Sequence, residues 1–127
     1  MTRIAVVNND TVFLEMMAAV LAEHGWDTAI YKEADSAFET LKACPPDLII
    51  LDIRMERPES GWTLLELLTL DPKLSKIPTI VCSAAIIDLR THASWLERHG
   101  IAILIKPFDI ADLYLQVETA LQSRPLQ

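Results

Sequence analysis

A carboxylate, a hydroxyl and an ammonium each follow a short apolar run, at Asp52, Ser83 and Lys106. Amides and a further acid follow the first such run, in Asn8-Asn9-Asp10. If these runs are parallel strands, all four positions converge at one edge of a sheet, where ligands and chemistry collect in open α/β folds. Ser83 does not look like a hydrolase nucleophile, because no histidine follows a strand end to activate it.

The runs alternate with amphipathic segments, which predicts a parallel sheet with right-handed crossovers in a single domain. The four residues between Asp47 and Asp52 are all apolar, as in a strand that is covered on both faces. Gly25 and Gly100 stop two helices. We predict strands at 3–7, 27–31, 47–52, 78–82 and 101–105. We predict helices at 12–22, 34–41, 61 to the Asp71-Pro72 break, 88–99 and 109–122. Residues 123–127 then form a frayed tail or the start of a linker.

Composition limits the functional classes. The chain has 127 residues and a net charge of −7, and its eleven basic residues are scattered. Direct nucleic-acid binding is not expected, because it needs clustered Lys and Arg. No apolar run has the length of a membrane span, and the N-terminus lacks a signal-peptide pattern. Cys44 and Cys82 are too few for a disulfide framework and are expected to be small buried hydrophobes. We infer a reducing, cytoplasmic setting.

The chain resembles a receiver domain of a two-component response regulator. The motifs that carry the resemblance are Val6-Val7-Asn8-Asn9-Asp10, Leu51-Asp52-Ile53-Arg54-Met55, Val81-Cys82-Ser83-Ala84 and Lys106-Pro107-Phe108. They span essentially the whole chain, so residues 1–122 are expected to form the receiver domain. The resemblance implies a flavodoxin-like doubly wound sheet with strand order 2-1-3-4-5 and five helices.

The resemblance also assigns roles to residues. It makes Asp52 the acceptor of a phosphoryl group from a histidine kinase or phosphotransfer protein. Lys106 is the lysine that pairs with Asp52 and then with the phosphoryl oxygens, and Ser83 is the hydroxyl that binds the phosphoryl group. A transferring phosphoryl group spreads charge over three oxygens, so positioning and cations dominate its catalysis. Mg²⁺ would complete the cationic environment, with Asp52 and the Arg54 backbone carbonyl among its ligands.

The first departure from the family pattern lies at the metal. Asn8 and Asn9 stand where the family usually has two acidic residues that hold Mg²⁺. Amide oxygens carry no formal charge, so weakened Mg²⁺ affinity is expected. Asp10 is either the N-cap of the first helix or a partial replacement for those acids at the metal.

Two other departures concern switching and access. Ile103 occupies the position of a frequent family aromatic and cannot act as a rotor, so it is expected to pack in the last strand. Switching would then depend on the loops around Ser83 and on the fourth helix. Glu56 replaces a usual proline in a loop that is one residue longer than is typical. Glu56 and Arg57 could tune access or partner choice, but the favoured interpretation is a pair of solvated loop charges.

Remaining candidates are weaker. His24, His92 and His99 lack a metal-ligand pattern and are expected at or near the surface. Trp95 is a candidate contact residue, because the resemblance places a partner or homodimer surface on the fourth helix, fifth strand and fifth helix.

Two functions remain open. The first is a phospho-acceptor that assists its own phosphoryl transfer, is not a turnover enzyme, and signals through phosphorylation-dependent protein interactions. The alternative is a pseudo-receiver whose protein interactions ignore phosphorylation. A flavin-binding domain of similar fold is disfavoured, because Asn8-Asn9-Asp10-Thr11-Val12 lacks a phosphate-binding loop rich in Ser, Thr and Gly.

Overall fold

Within residues 2–122, five strands form one parallel sheet in the order β2-β1-β3-β4-β5, which confirms the predicted fold. The computed structural model describes residues 2–122, so the predicted tail at 123–127 lies outside the described residues. The strands are β1 (Arg3–Val7), β2 (Asp27–Tyr31), β3 (Leu48–Leu51), β4 (Thr79–Ser83) and β5 (Ala102–Ile105).

Helices cover both faces of the sheet. They are α1 (Thr11–Glu23), α2 (Ala34–Ala43), α3 (Ser60–Leu70), α4 (Ile86–Thr91), α5 (Ala93–Arg98) and α6 (Ile110–Gln122), with a short 3₁₀ helix at Leu74–Lys76. No helix within residues 2–122 combines the length and the apolarity needed to cross a bilayer.

β3 lies at the centre of the sheet and is buried along its whole length. Ile49 and Leu51 pack into the core beneath α2 and α3, whereas Leu48 and Ile50 pack into the core beneath α1 and α6. Successive side chains of a strand point to opposite faces, which explains why an uninterrupted apolar run is needed here.

The predicted helix at 88–99 is two helices, which corrects the expected total of five. The helix is interrupted at His92, which lies between α4 and α5, and α4 begins two residues earlier than predicted. The His92 ring nitrogen Nδ1 lies 2.9 Å from the Asp88 carbonyl oxygen. The same ring stacks on Trp62 of α3, with ring centroids 4.0 Å apart. We attribute the interruption to these side-chain contacts, which compete with regular helical geometry.

The two cysteines differ, which corrects the expectation that both are buried. Cys82 is buried in β4, and burial raises the pKa of its thiol to about 12. Cys44 is exposed, and its Sγ accepts a hydrogen bond of 2.9 Å from the Arg3 guanidinium.

The first turn of α3 packs directly against the backbone of the loop that follows β3. A Cβ atom on Gly61 would overlap the backbone of Ile53, so only glycine permits this close approach. The packing fixes the loop between β3 and α3, which begins at Asp52.

Candidate functional site

Asp52 follows β3 directly and is held by the backbone on both sides. Its amide donates to the Val7 carbonyl of the neighbouring strand at 3.0 Å. Its Oδ1 accepts a hydrogen bond of 3.0 Å from the Arg54 amide. The residue is only 9% exposed, yet it carries a carboxylate. A buried carboxylate needs compensating partners, and the next strands supply them.

Lys106 provides the opposite charge. Its Nζ donates to Asp52 Oδ2 at 2.8 Å. The Lys106 amide also donates to the Ser83 carbonyl at 3.0 Å, which ties the end of β5 to the end of β4. The ammonium lies 4.1 Å from the centroid of the Phe13 ring on α1. This partly buried pair is screened less than a surface ion pair, because its side chains are 24% and 11% exposed.

Ser83 completes the group at the end of β4. It is buried, and its Oγ accepts a hydrogen bond of 3.1 Å from the Ala85 amide. A hydroxyl that accepts in this way keeps its proton for a ligand. A pocket of about 290 Å³ opens here, lined by Asp52, Arg54, Ser83, Ala84, Ala85 and Lys106. The three residues of the predicted acceptor site therefore line one pocket.

Asn8 is part of the same cluster but acts as a hydrogen-bond donor. Its Nδ2 donates to Asp52 Oδ2 at 3.2 Å, and its Oδ1 accepts from the Asp10 amide at 2.8 Å. Asp10 caps α1, accepting from the amides of Val12 at 3.0 Å and Phe13 at 3.3 Å. The cap is thus the observed one of the two roles considered for Asp10, and its metal role stays a prediction.

The donor set does not match what Mg²⁺ prefers, namely several carboxylate and water oxygens. Asn8 turns its NH₂ group toward Asp52 and engages its oxygen with backbone, while Asn9 is exposed. Within residues 2–122, no three His, Cys, Asp or Glu side chains are grouped so that they could hold a metal ion. Asp52 and the Arg54 carbonyl remain available as oxygen donors, but the residues do not form a fitting cation site.

Glu56 and Arg57 are both exposed, as the favoured interpretation of solvated loop charges expects, but both also contact α2. The two Glu56 carboxylate oxygens accept hydrogen bonds of 3.0 Å from the amides of Ala34 and Asp35, at the start of α2. Arg57 pairs with the Asp35 carboxylate at 2.9 Å. Burial by itself would raise the pKa of Glu56, but the two amides and the Arg57 charge outweigh it and lower the pKa. The loop after Asp52 is thereby anchored to α2.

The Arg54 side chain is the feature that sequence reasoning missed, because only its backbone carbonyl was considered. Its guanidinium lies 3.5 Å from the Asp88 carboxylate on α4. Arg54 thus reaches from the Asp52 side of the pocket to the helix that follows Ala84 and Ala85. A basic residue two positions after the candidate acceptor was the available signal.

Comparisons with known proteins agree with this arrangement. A family model described as "Response regulator receiver domain" matches residues 4–118. The chain is 29% identical to the transcriptional regulatory protein ZraR of Escherichia coli K12 over 118 residues, which cover 93% of the chain and 26% of ZraR. The chain therefore spans about a quarter of the length of this curated relative.

Solved structures show the same fold. The receiver domain of NtrX from Brucella abortus superposes with a TM-score of 0.80 at 26% identity, covering 94% of this chain and 98% of that one. A sensor protein from Polaromonas sp. JS666 gives a TM-score of 0.83 at 20% identity, covering 95% and 96% of the two chains.

Proposed function

Because the chain belongs to the response regulator receiver domain family of two-component systems, we propose that it accepts a phosphoryl group on Asp52 and signals by phosphorylation-dependent protein interaction. The observation that carries this proposal is the contact of 2.8 Å between Lys106 Nζ and Asp52 Oδ2. That ion pair lines one pocket with the buried Ser83 hydroxyl.

In the proposed reaction, an Asp52 carboxylate oxygen forms a bond to phosphorus while the bond from phosphorus to a donor imidazole nitrogen breaks. The imidazole leaves with the electron pair of that bond. The Lys106 ammonium stabilises the negative charge of the phosphoryl oxygens, and the Ser83 hydroxyl donates a hydrogen bond to one of them. The product is an acyl phosphate on the chain itself, so we expect a phospho-acceptor and not a turnover enzyme.

The donor would be a histidine kinase or a phosphotransfer protein that approaches beside Lys106. An apolar groove of about 460 Å³ adjoins this lysine between α1 and α6. Phe13, Met16, Phe108 and Ile110 are among its lining residues. Apolar surface next to a reactive site supports a protein donor, because such patches are typical of protein contacts.

The direct test is incubation with acetyl phosphate followed by intact-mass measurement. We expect a gain of one phosphoryl group in the wild type and none in Asp52→Asn. No gain in the mass of the wild type, with or without Mg²⁺, or the same gain in Asp52→Asn, would reject the proposal.

A pseudo-receiver remains the second candidate, and two observations favour it. Asn8 stands in the place of a metal-binding acid, and Ile103 packs against the core where a rotating aromatic would lie. Under this alternative, a captured partner protein would bind wild type and Asp52→Asn equally well before and after acetyl phosphate treatment. A difference between the two treatments would argue for phosphorylation-dependent signalling.

A further inference from the structure

The pocket around Asp52 has a second cationic residue in its lining, after Lys106. Arg54 lines the pocket, and its side chain is 69% exposed. Its partner Asp88 is 40% exposed, and the closest contact between the two side chains is 3.5 Å. An ion pair with this exposure and length contributes little stability. The observed partner of the guanidinium within residues 2–122 is therefore a weakly held carboxylate on α4, which a stronger anion would replace.

The net charge of the phosphorylated site explains why a second cation is needed. Asp52 and Lys106 balance one another before transfer. A phosphorylated side chain carries about two negative charges, so Lys106 alone leaves roughly one uncompensated. The surrounding donor set does not form a fitting site for a divalent cation. A guanidinium is always protonated and matches two oxygens of a phosphoryl group with two parallel N–H donors.

We propose that Arg54 exchanges Asp88 for the phosphoryl group and supplies the positive charge that a divalent cation supplies in other receiver domains. This inference rests on the proposed phosphorylation of Asp52. Together with Lys106, Arg54 then neutralises the phosphorylated side chain.

The exchange would also couple phosphorylation of Asp52 to α4. Asp88 lies in the first turn of α4, next to the exposed side chains of Ile86 and Ile87. When Arg54 leaves Asp88, α4 loses an ion pair to the loop that carries the acceptor. Phosphorylation of Asp52 would thus alter the contacts of α4, which carries exposed apolar side chains. This coupling does not need an aromatic side chain at position 103, where the chain has Ile103.

The test measures phosphorylation by acetyl phosphate in EDTA with Arg54→Gln, Arg54→Lys and Asp88→Asn. Arg90→Gln is the matched control, since Arg90 is exposed on α4 and its loss changes the net charge equally. Because the guanidinium is largely solvated, we expect Arg54→Gln to slow phosphorylation about tenfold, less than the hundredfold or so typical of a sequestered donor. Arg54→Lys should recover part of the rate, Asp88→Asn should raise it, and Arg90→Gln should match wild type.

The outcomes separate this inference from the function beneath it. Equal rates for wild type and Arg54→Gln in EDTA would overturn the role of Arg54. A wild type that is phosphorylated only after Mg²⁺ is added would also overturn it, while the proposed function would stand. A wild type that is phosphorylated under neither condition would overturn the proposed function and this inference together.

Discussion

At the scale of single residues, Asn8 sets the electrostatics of the site. An aspartate at this position would place a second carboxylate beside Asp52 Oδ2, and like charges at that distance need a cation between them. The asparagine instead donates a hydrogen bond to the same oxygen at 3.2 Å. The buried acid is therefore satisfied by Lys106 and two neutral N–H donors, and no metal is needed to hold the resting site together.

Restoring both acids should create a metal site. We expect the variant Asn8→Asp with Asn9→Asp to bind Mg²⁺ at least about tenfold more tightly than wild type, because ligand charge tunes the affinity of such sites. NMR titration of the Arg54 and Lys106 amide signals would measure the two dissociation constants. Adding Asp52→Asn to the variant should weaken the new site. Equal Mg²⁺ affinity in wild type and variant would show that the two amides are not the limiting element.

At the scale of elements, the loop from β3 to α3 is fixed from outside itself. The N-cap residue of α2, Glu33, makes no side-chain cap bond. Glu56 fills that role from the loop, because its carboxylate accepts from the first two amides of α2. Negative charge is favourable at a helix N-terminus, where backbone N–H groups lack partners. One side chain thereby caps a helix and positions the loop that carries Arg54.

Glu56→Gln should lower the free energy of unfolding at pH 7 by about 0.5 kcal/mol, the lower end of the scale for a lost helix cap, because glutamine keeps one acceptor oxygen and solvent screens the lost charge. Glu39→Gln is the matched control, since Glu39 is an exposed residue of α2, the helix that Glu56 caps. Urea unfolding followed by circular dichroism would measure both variants. A free energy of unfolding for Glu56→Gln equal to that of Glu39→Gln would show that the contact adds no stability.

The same contact predicts a pH dependence. Since folding lowers the pKa of Glu56 below its usual 4.5, the contribution of this residue is complete above that value. It is lost as the pH falls through the lower pKa of the folded state. The stability difference between wild type and Glu56→Gln should therefore shrink below pH 4.5. A difference that stayed constant between pH 7 and pH 3 would contradict this account.

At the scale of the whole molecule, exposed apolar side chains mark one candidate partner surface. Ile86 and Ile87 on α4, Ile105 at the end of β5 and Leu115 on α6 are between 45% and 80% exposed. α4, β5 and α6 form the surface that the resemblance assigns to a downstream protein or a second copy; α6 is the helix that the sequence analysis counted as the fifth. Trp95 packs against the core, and its ring lies tilted by 35° against that of His99, with centroids 4.3 Å apart. Its role as a contact residue stays a prediction.

Ile87→Glu should weaken self-association of the phosphorylated protein at least about tenfold, because it places a charge in a desolvated contact. Leu70→Glu is the control, since Leu70 on α3 is 78% exposed and Ile87 is 80% exposed. Sedimentation velocity with and without acetyl phosphate would compare the two variants. If both variants self-associated as the wild type does, the proposed surface would be wrong for a homodimer.

The sequence by itself determined the alternation of strands and helices, because a buried parallel strand requires an apolar run such as Leu48–Leu51. It also determined which side chains end the strands, and hence that Asp52, Ser83 and Lys106 meet at one edge. The interruption at His92 was not predictable, since we attribute it partly to a contact with the ring of Trp62, which is distant in the sequence.

Tertiary structure alone decided the partners of the polar groups. The contacts of Glu56 with α2, Arg54 with Asp88 and Asn8 with Asp52 join residues that are 21 to 44 positions apart. Hydrogen bonds and ion pairs depend on distance and direction between atoms, which no local pattern encodes. Residue types predicted the candidate site, and only the folded chain placed Arg54 in the lining of its pocket and against Asp88.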